Sequence, residues 1–144
     1  MPSQAAPELW LLEDSDADAE VFTFAADSVA LSARVRHFRS GDELLAAVAG
    51  SAGSLPVLAL LDLNLPGVDG RDLIAHLKAS VAFRAVPLLV LSSSANRNDV
   101  ERAYEAGACA YLVKPLGIER YEELLRSIND FWFGAALRHP AGAP

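Results

Sequence analysis

The chain has 144 residues, 52% of them hydrophobic, and a formal net charge of −7. This length suits one domain with one core, and the hydrophobic content excludes an intrinsically disordered chain. The acidic balance and the lack of any Lys/Arg run argue against nucleic acid as a partner, because phosphate contacts need clustered cations. Since the sequence shows neither a secretory signal nor an apolar run long enough to span a membrane, we expect a cytoplasmic protein with no membrane contact.

Apolar runs alternate with amphipathic segments five times along the chain. Strands are predicted at residues 9–12, 33–38, 57–61, 87–91 and 109–113. Helices are predicted from Asp16, after a cap at Ser40, around 73–77, over 96–106 up to Gly107, and from Ile118 into the 130s. The alternation predicts an α/β fold of the flavodoxin-like kind, a doubly wound five-stranded parallel sheet with helices on both faces.

Two smaller expectations concern residues near the strand ends. Asp16 and Asp18 fall in the first turn of the first predicted helix, where the helix dipole favours acids. The lone cysteine, Cys109, excludes an intrachain disulfide and is compatible with a reducing compartment. We expect Cys109 to be a small buried residue of the fifth strand.

Polar residues follow four of the five predicted strands, namely Glu13 with Asp14, Asp62, Ser92 and Lys114. In a parallel sheet these ends share one edge, where ligands bind. The carboxylates of Glu13, Asp14 and Asp62 would crowd negative charge there, so a cation is needed to neutralise them. Oxygen ligands favour Mg²⁺ or Mn²⁺, and the backbone carbonyl of Asn64 is a candidate for a further ligand.

Lys114 and Ser92 indicate what such a site acts on. A positive charge and a hydroxyl group beside a metal suit an anion with several oxygens, and a phosphoryl group fits that description. Asp62 would accept the phosphoryl group as a nucleophile, while Lys114 and Ser92 hold its remaining oxygens.

The motifs that carry this chemistry are Glu13-Asp14, Asp62 followed by LNLPGVDG, Ser92, and the run from Ala108 to Pro115. In this order they closely resemble the receiver domain of two-component response regulators. The resemblance extends from about Leu9 to Trp132. We therefore assign residues 8–133 to a (βα)5 receiver domain, 1–7 to a flexible N-terminus and 134–144 to a C-terminal extension.

The resemblance implies that a histidine kinase donates the phosphoryl group to Asp62, and that Glu13, Asp14 and Asp62 hold Mg²⁺. It implies no enzymatic activity beyond self-catalysed phosphorylation and autodephosphorylation. Lys114 takes the position of the phosphate-binding lysine, followed by a cis peptide bond to Pro115. Ser92 and Tyr111 take the positions of a switch pair, although Tyr111 is also compatible with an ordinary aromatic residue at a strand end.

The resemblance also bears on partners. No output domain is predicted, so the phosphorylated protein would signal through a partner or a dimer. The sequences at 62–66, 103–108 and 129–132 look most like the single-domain regulators paired with bacterial phytochrome kinases. A sensor histidine kinase, in that case a phytochrome, is the expected phosphodonor.

The last predicted helix has apolar residues on more than one face, among them Tyr121, Leu124, Phe131, Trp132 and Phe133. This surplus predicts contact with a partner or a second copy. The resemblance implies a homodimer through the fourth helix, the fifth strand and the fifth helix, which the C-terminal extension would reshape. The other reading is a C-terminal segment that folds back on its own domain.

Two other functions remain open at this point. One is a receiver-like adaptor that binds partners without depending on phosphorylation. The other is an aspartyl-phosphate phosphatase that turns over external substrates. That class usually carries a second Asp two residues after the nucleophile, where this chain has Asn64.

Overall fold

The computed structural model of the protein describes residues 6–50, 55–62 and 70–136. Its five strands are β1 (Glu8–Leu12), β2 (Arg34–Phe38), β3 (Leu58–Asp62), β4 (Leu88–Ser92) and β5 (Ala110–Val113). All pair in parallel in one sheet of order β2-β1-β3-β4-β5. The chain winds outward to β2 and then crosses back over β1 to β3, so the doubly wound sheet is confirmed.

The helices follow the strands in strict alternation: α1 (Asp16–Ser28), α2 (Gly41–Ala49), α3 (Gly70–Ala79), α4 (Arg97–Ala106) and α5 (Ile118–Asp130). Ser40 caps α2 as predicted, since its side chain accepts a hydrogen bond from the Glu43 N–H. Gly107 ends α4 in the left-handed region, with φ of 119°. A π-helical turn (Phe131–Ala135) continues α5.

The sheet has a hydrophobic layer on each face, because successive strand residues point to opposite sides. One layer packs α2, α3 and α4 on the sheet and contains Trp10, which contacts the rings of Phe38 and Phe83. The other layer packs α1 and α5 on the opposite face. Every residue of β3 and β4 is buried, as expected for central strands covered on both sides.

β2 lies at one edge of the sheet, and its residues alternate between more and less exposed positions. The exposed positions hold Arg34 and Arg36. Arg34 forms an ion pair of 3.0 Å with Glu8, and the Arg36 guanidinium lies 4.9 Å from the centre of the Phe38 ring. Both arginine side chains therefore lie over the neighbouring side chains at this edge.

Two local expectations are wrong. Cys109 is exposed, because β5 begins one residue later and only its backbone N–H joins the sheet, donating to the Leu88 carbonyl at 2.8 Å. The described residues contain no cis peptide bond, so Lys114 and Pro115 are joined by the intrinsically favoured trans form.

Among the described helices, none has the length and apolar character that crossing a membrane requires.

The described elements run from Glu8 to Ala135. The expected boundaries at residues 7 and 133 stay predictions, since 1–5 and 137–144 lie outside the described residues.

Candidate functional site

The ends of the strands bring four predicted residues together. Glu13 follows β1, Asp62 ends β3, Ser92 ends β4 and Lys114 follows β5. The first three are the buried polar residues of the described chain, with exposures of 2%, 3% and 1%. Backbone bonds fix two of these ends, since Glu13 N–H donates to Phe38 and Lys114 N–H donates to Ser92.

Three carboxylates form a group that suits a divalent cation. One oxygen each from Glu13, Asp14 and Asp62 lies within 4.8 Å of the others. Asp14 is exposed while its two neighbours are buried, so the group opens to solvent on one side. Hard oxygen donors in this number fit Mg²⁺ or Mn²⁺. Asn64, the fourth expected ligand, lies outside the described residues.

Lys114 contacts three carboxylates. Its Nζ lies 2.8 Å from Glu13 Oε2, 3.2 Å from Asp62 Oδ2 and 3.2 Å from Asp18 Oδ2. Burial acts to lower the pKa of Lys114, but the hydrogen bond to Glu13 and the charge of Asp62 outweigh it and raise the pKa well above its usual value. Lys114 therefore stays charged at neutral pH.

The carboxyl group of Glu13 is harder to ionise in the folded chain than in water. Burial raises the pKa of the Glu13 carboxyl, and the hydrogen bond from Lys114 offsets this only in part. The Ser15 N–H also donates to Glu13 Oε1, at 3.2 Å. The ionised form of Glu13 is thus less favourable in the folded chain than in the unfolded one.

Replacing Glu13 by glutamine is expected to stabilise the metal-free protein at pH 7 by about 0.5–2 kcal/mol, since it removes a buried charge and keeps an acceptor for Lys114. The pKa of Glu13 is higher in the folded chain than in the unfolded one, so protonation of Glu13 stabilises the fold. This stabilisation is fully present below the unfolded pKa of 4.5 and is lost as pH rises through the folded pKa. The gain should therefore shrink as pH falls.

Urea denaturation with a chelator present, at pH 7 and at pH 4.5, measures this gain. Glu20→Gln, which changes an exposed acid of α1, is the control and should shift stability little at either pH. A variant that is no more stable than the natural chain at pH 7 would show that the ionised Glu13 is fully compensated.

Asp18 is the site residue that the sequence did not reveal. The sequence predicts only a first-turn acid of α1 at this position, and Asp18 is one. Its contact with Lys114 depends on how α1 packs beside the loop that follows β5. Its place in the first turn of the helix that follows Glu13 and Asp14 is the only sequence signal for this contact.

The predicted switch residues Ser92 and Tyr111 are linked through Ser94. The Tyr111 hydroxyl donates to the Ser94 carbonyl at 2.8 Å, and the Ser94 N–H donates to Ser92 Oγ at 3.2 Å. The Ser94 hydroxyl in turn donates to Asp99 of α4 at 2.7 Å. A displacement of the Ser92 hydroxyl would therefore be felt at both Tyr111 and α4.

The C-terminal aromatic surface is smaller than expected. Tyr121 is only 5% exposed and stands edge-on to Phe22, so its assignment to an interface is wrong. It points inward because it lies on the stripe of α5 that faces α1. Leu124, Trp132 and Phe133 are half-buried against the same core layer.

Most of this segment thus folds back on its own domain, which was the alternative reading. Asn129 adds to the contact, accepting a hydrogen bond from the Ser32 N–H at 2.8 Å. Phe131 remains 54% exposed. It is the member of the predicted interface that presents a large apolar surface to solvent.

Comparison with known proteins shows the family to which the chain belongs. Residues 10–126 match the family described as the response regulator receiver domain. The chain is 35% identical over 127 residues to the probable methanogenesis regulatory protein FilR2 of Methanothrix harundinacea, covering 86% of this chain and 82% of that protein. It is 30% identical to the response regulator Rcp1 of Synechocystis, over 85% of this chain and 86% of Rcp1.

Solved structures of response regulators share the fold of this chain. The phosphorylated cyanobacterial phytochrome response regulator RcpA superposes with a TM-score of 0.85 at 30% identity, over 95% of this chain and all of RcpA. The Mn²⁺-bound form of Rcp1 gives 0.80 at 28% identity, over 92% of this chain and 99% of that one. Phosphorylation-dependent switching, driven by a histidine kinase, is the general function of such proteins. The chain belongs to the response regulator receiver domain family.

Proposed function

We propose that this receiver accepts a phosphoryl group from a histidine kinase on Asp62 and signals by a phosphorylation-dependent change in its contacts. The observation that carries the proposal is the setting of Asp62. Its buried carboxylate ends β3, lies 3.2 Å from the Lys114 ammonium and forms a cluster with the carboxylates of Glu13 and Asp14.

The chemistry is a transfer between two nucleophiles. A carboxylate oxygen of Asp62 attacks phosphorus, the bond from phosphorus to the imidazole nitrogen of the donor breaks, and its electron pair stays on that nitrogen. Lys114 and Ser92 hold phosphoryl oxygens. A divalent cation held by Glu13, Asp14, Asp62 and the Asn64 carbonyl would neutralise phosphoryl charge.

The switch follows from the engagement of Ser92. A phosphoryl oxygen that draws the Ser92 hydroxyl away from the Ser94 N–H would shift the loop that bonds Tyr111 and Asp99. We assign Ser92 and Tyr111 the switch role on this ground.

A phytochrome kinase is the donor we propose, on the strength of the likeness to RcpA, whose name identifies it as a phytochrome response regulator. The output surface we propose is a homodimer contact through α4, β5, α5 and the C-terminal extension, with Phe131 among its exposed apolar residues. Residues 8–133 would form the receiver unit.

Incubation with acetyl phosphate and Mg²⁺ tests the proposal. We expect mass spectrometry to show one added phosphoryl group, and borohydride reduction to convert Asp62 alone to homoserine. A chelator should prevent labelling. Labelling elsewhere would overturn the assignment, equal partner affinity with and without the phosphoryl group would favour an adaptor, and repeated turnover of a phosphate ester would favour a phosphatase.

A further inference from the structure

Asp18 is the charged residue of the site that the proposed chemistry does not use. It lies in the first turn of α1, and its Oδ2 accepts a hydrogen bond from Lys114 Nζ at 3.2 Å. Its side chain is 48% exposed, whereas the side chains of Glu13 and Asp62, the other two partners of Lys114, are 3% and 4% exposed. Asp18 is therefore the most solvent-exposed of the three carboxylate partners of Lys114.

The three contacts leave Lys114 no spare donor. An ammonium group has three N–H bonds, and Lys114 has three carboxylate oxygens within 3.2 Å. A phosphoryl oxygen that binds Lys114 therefore competes with these carboxylate oxygens for its N–H bonds. Asp18 returns to water at the lowest cost because its side chain is already half solvated.

The same residue lines a surface hollow that borders the site at Lys114. Asp18 and Lys114 both line a surface hollow of about 540 Å³ between α1 and the loop from β5 to α5. The rest of its lining is largely apolar and includes Leu116, which is 87% exposed. Within the described chain, Asp18 is the one acidic residue of this lining, so an anion entering here meets its charge beside Lys114.

We infer that Asp18 is a positioning and specificity-determining residue, which holds Lys114 until a phosphoryl group arrives and disfavours small anionic phosphodonors. It touches no reacting atom and acts through Lys114 and through its own charge. A kinase can offset that charge with cations of its own, whereas a free acyl phosphate cannot. The inference rests on the proposed phosphorylation of Asp62.

The test measures the rate of Asp62 labelling against acetyl phosphate concentration at fixed Mg²⁺. Asp18→Asn should lower the half-saturating concentration about fivefold, since one competing carboxylate and one repelling charge are removed. The maximal rate should change less. Asp18→Glu should restore the behaviour of the natural chain, and raising the salt concentration should shrink the difference.

Asp16→Asn is the matched control. Asp16 occupies the same first turn and carries the same charge, but it pairs with Arg39 at 2.8 Å instead of Lys114. A purely helix-stabilising role for Asp18 would shift the thermal midpoint in both variants and leave the half-saturating concentration unchanged. If Asp18→Asn had the same half-saturating concentration as the natural chain, or if Asp16→Asn lowered it equally, the role of Asp18 would be refuted while the proposed function stood. If the natural chain were not labelled at all, the proposed function would be refuted as well.

Discussion

Asp62→Asn is expected to reduce phosphoryl incorporation from acetyl phosphate to background. The asparagine side chain has nearly the shape of aspartate, so the end of β3 should keep its structure, and Lys114 keeps Glu13 and Asp18 as partners. A carboxamide oxygen is too weak a nucleophile to attack phosphorus, and no neighbouring carboxylate ends the same strand. Intact-mass spectrometry after incubation with Mg²⁺ measures the loss.

The control for this variant is Asp72→Asn. Asp72 is an exposed acid in the first turn of α3 and lies outside the carboxylate group. It should leave labelling unchanged. Incorporation into Asp62→Asn at the natural rate would mean that another residue accepts the phosphoryl group.

Lys114→Met is expected to lower the free energy of unfolding by about 3 kcal/mol or more at pH 7 without metal. It removes the cation from two buried carboxylates, and breaking a buried ion pair from one side leaves uncompensated charge. The pKa of Glu13, already raised by burial, should rise further. The deficit should therefore be greatest above the folded pKa and shrink as pH falls towards 4.5.

Urea denaturation over a series of pH values measures this effect, and Mg²⁺ should recover part of the lost stability because it binds only the folded acidic group. Arg97→Met is the control. The pair of Arg97 with Glu101 is exposed, so its loss should cost less than about 1 kcal/mol at any pH. A deficit in Lys114→Met that did not depend on pH would point to lost packing of the lysine stem.

Much of the fold was predictable because its central strands are short and apolar throughout. β3 and β4 are covered on both faces, so their sequences contain no polar interruption before Asp62 and Ser92. The same pattern located the site, since parallel strands deliver their last residues to one edge. Local cap signals at Ser40 and Gly107 placed two helix ends.

The sequence was less informative where a contact depends on how two helices pack. Asp18 reaches Lys114 because α1 lies beside the loop after β5, and no local pattern encodes that distance. Tyr121 shows the converse, because an aromatic residue on a helix with several apolar faces gives no sign of which face meets α1. The segment 63–69, which includes Asn64, lies outside the described residues, so that ligand stays a prediction.

The arginines of β2 bear on how the protein behaves at high concentration. An edge strand offers unpaired backbone groups to any extended chain, which makes it a starting point for aggregation. Arg34 and Arg36 place two positive charges on this edge, and their side chains are held against Glu8 and the Trp10 and Phe38 rings. A further strand would have to accommodate or displace these charged groups, so the arginines discourage the pairing of another chain with β2.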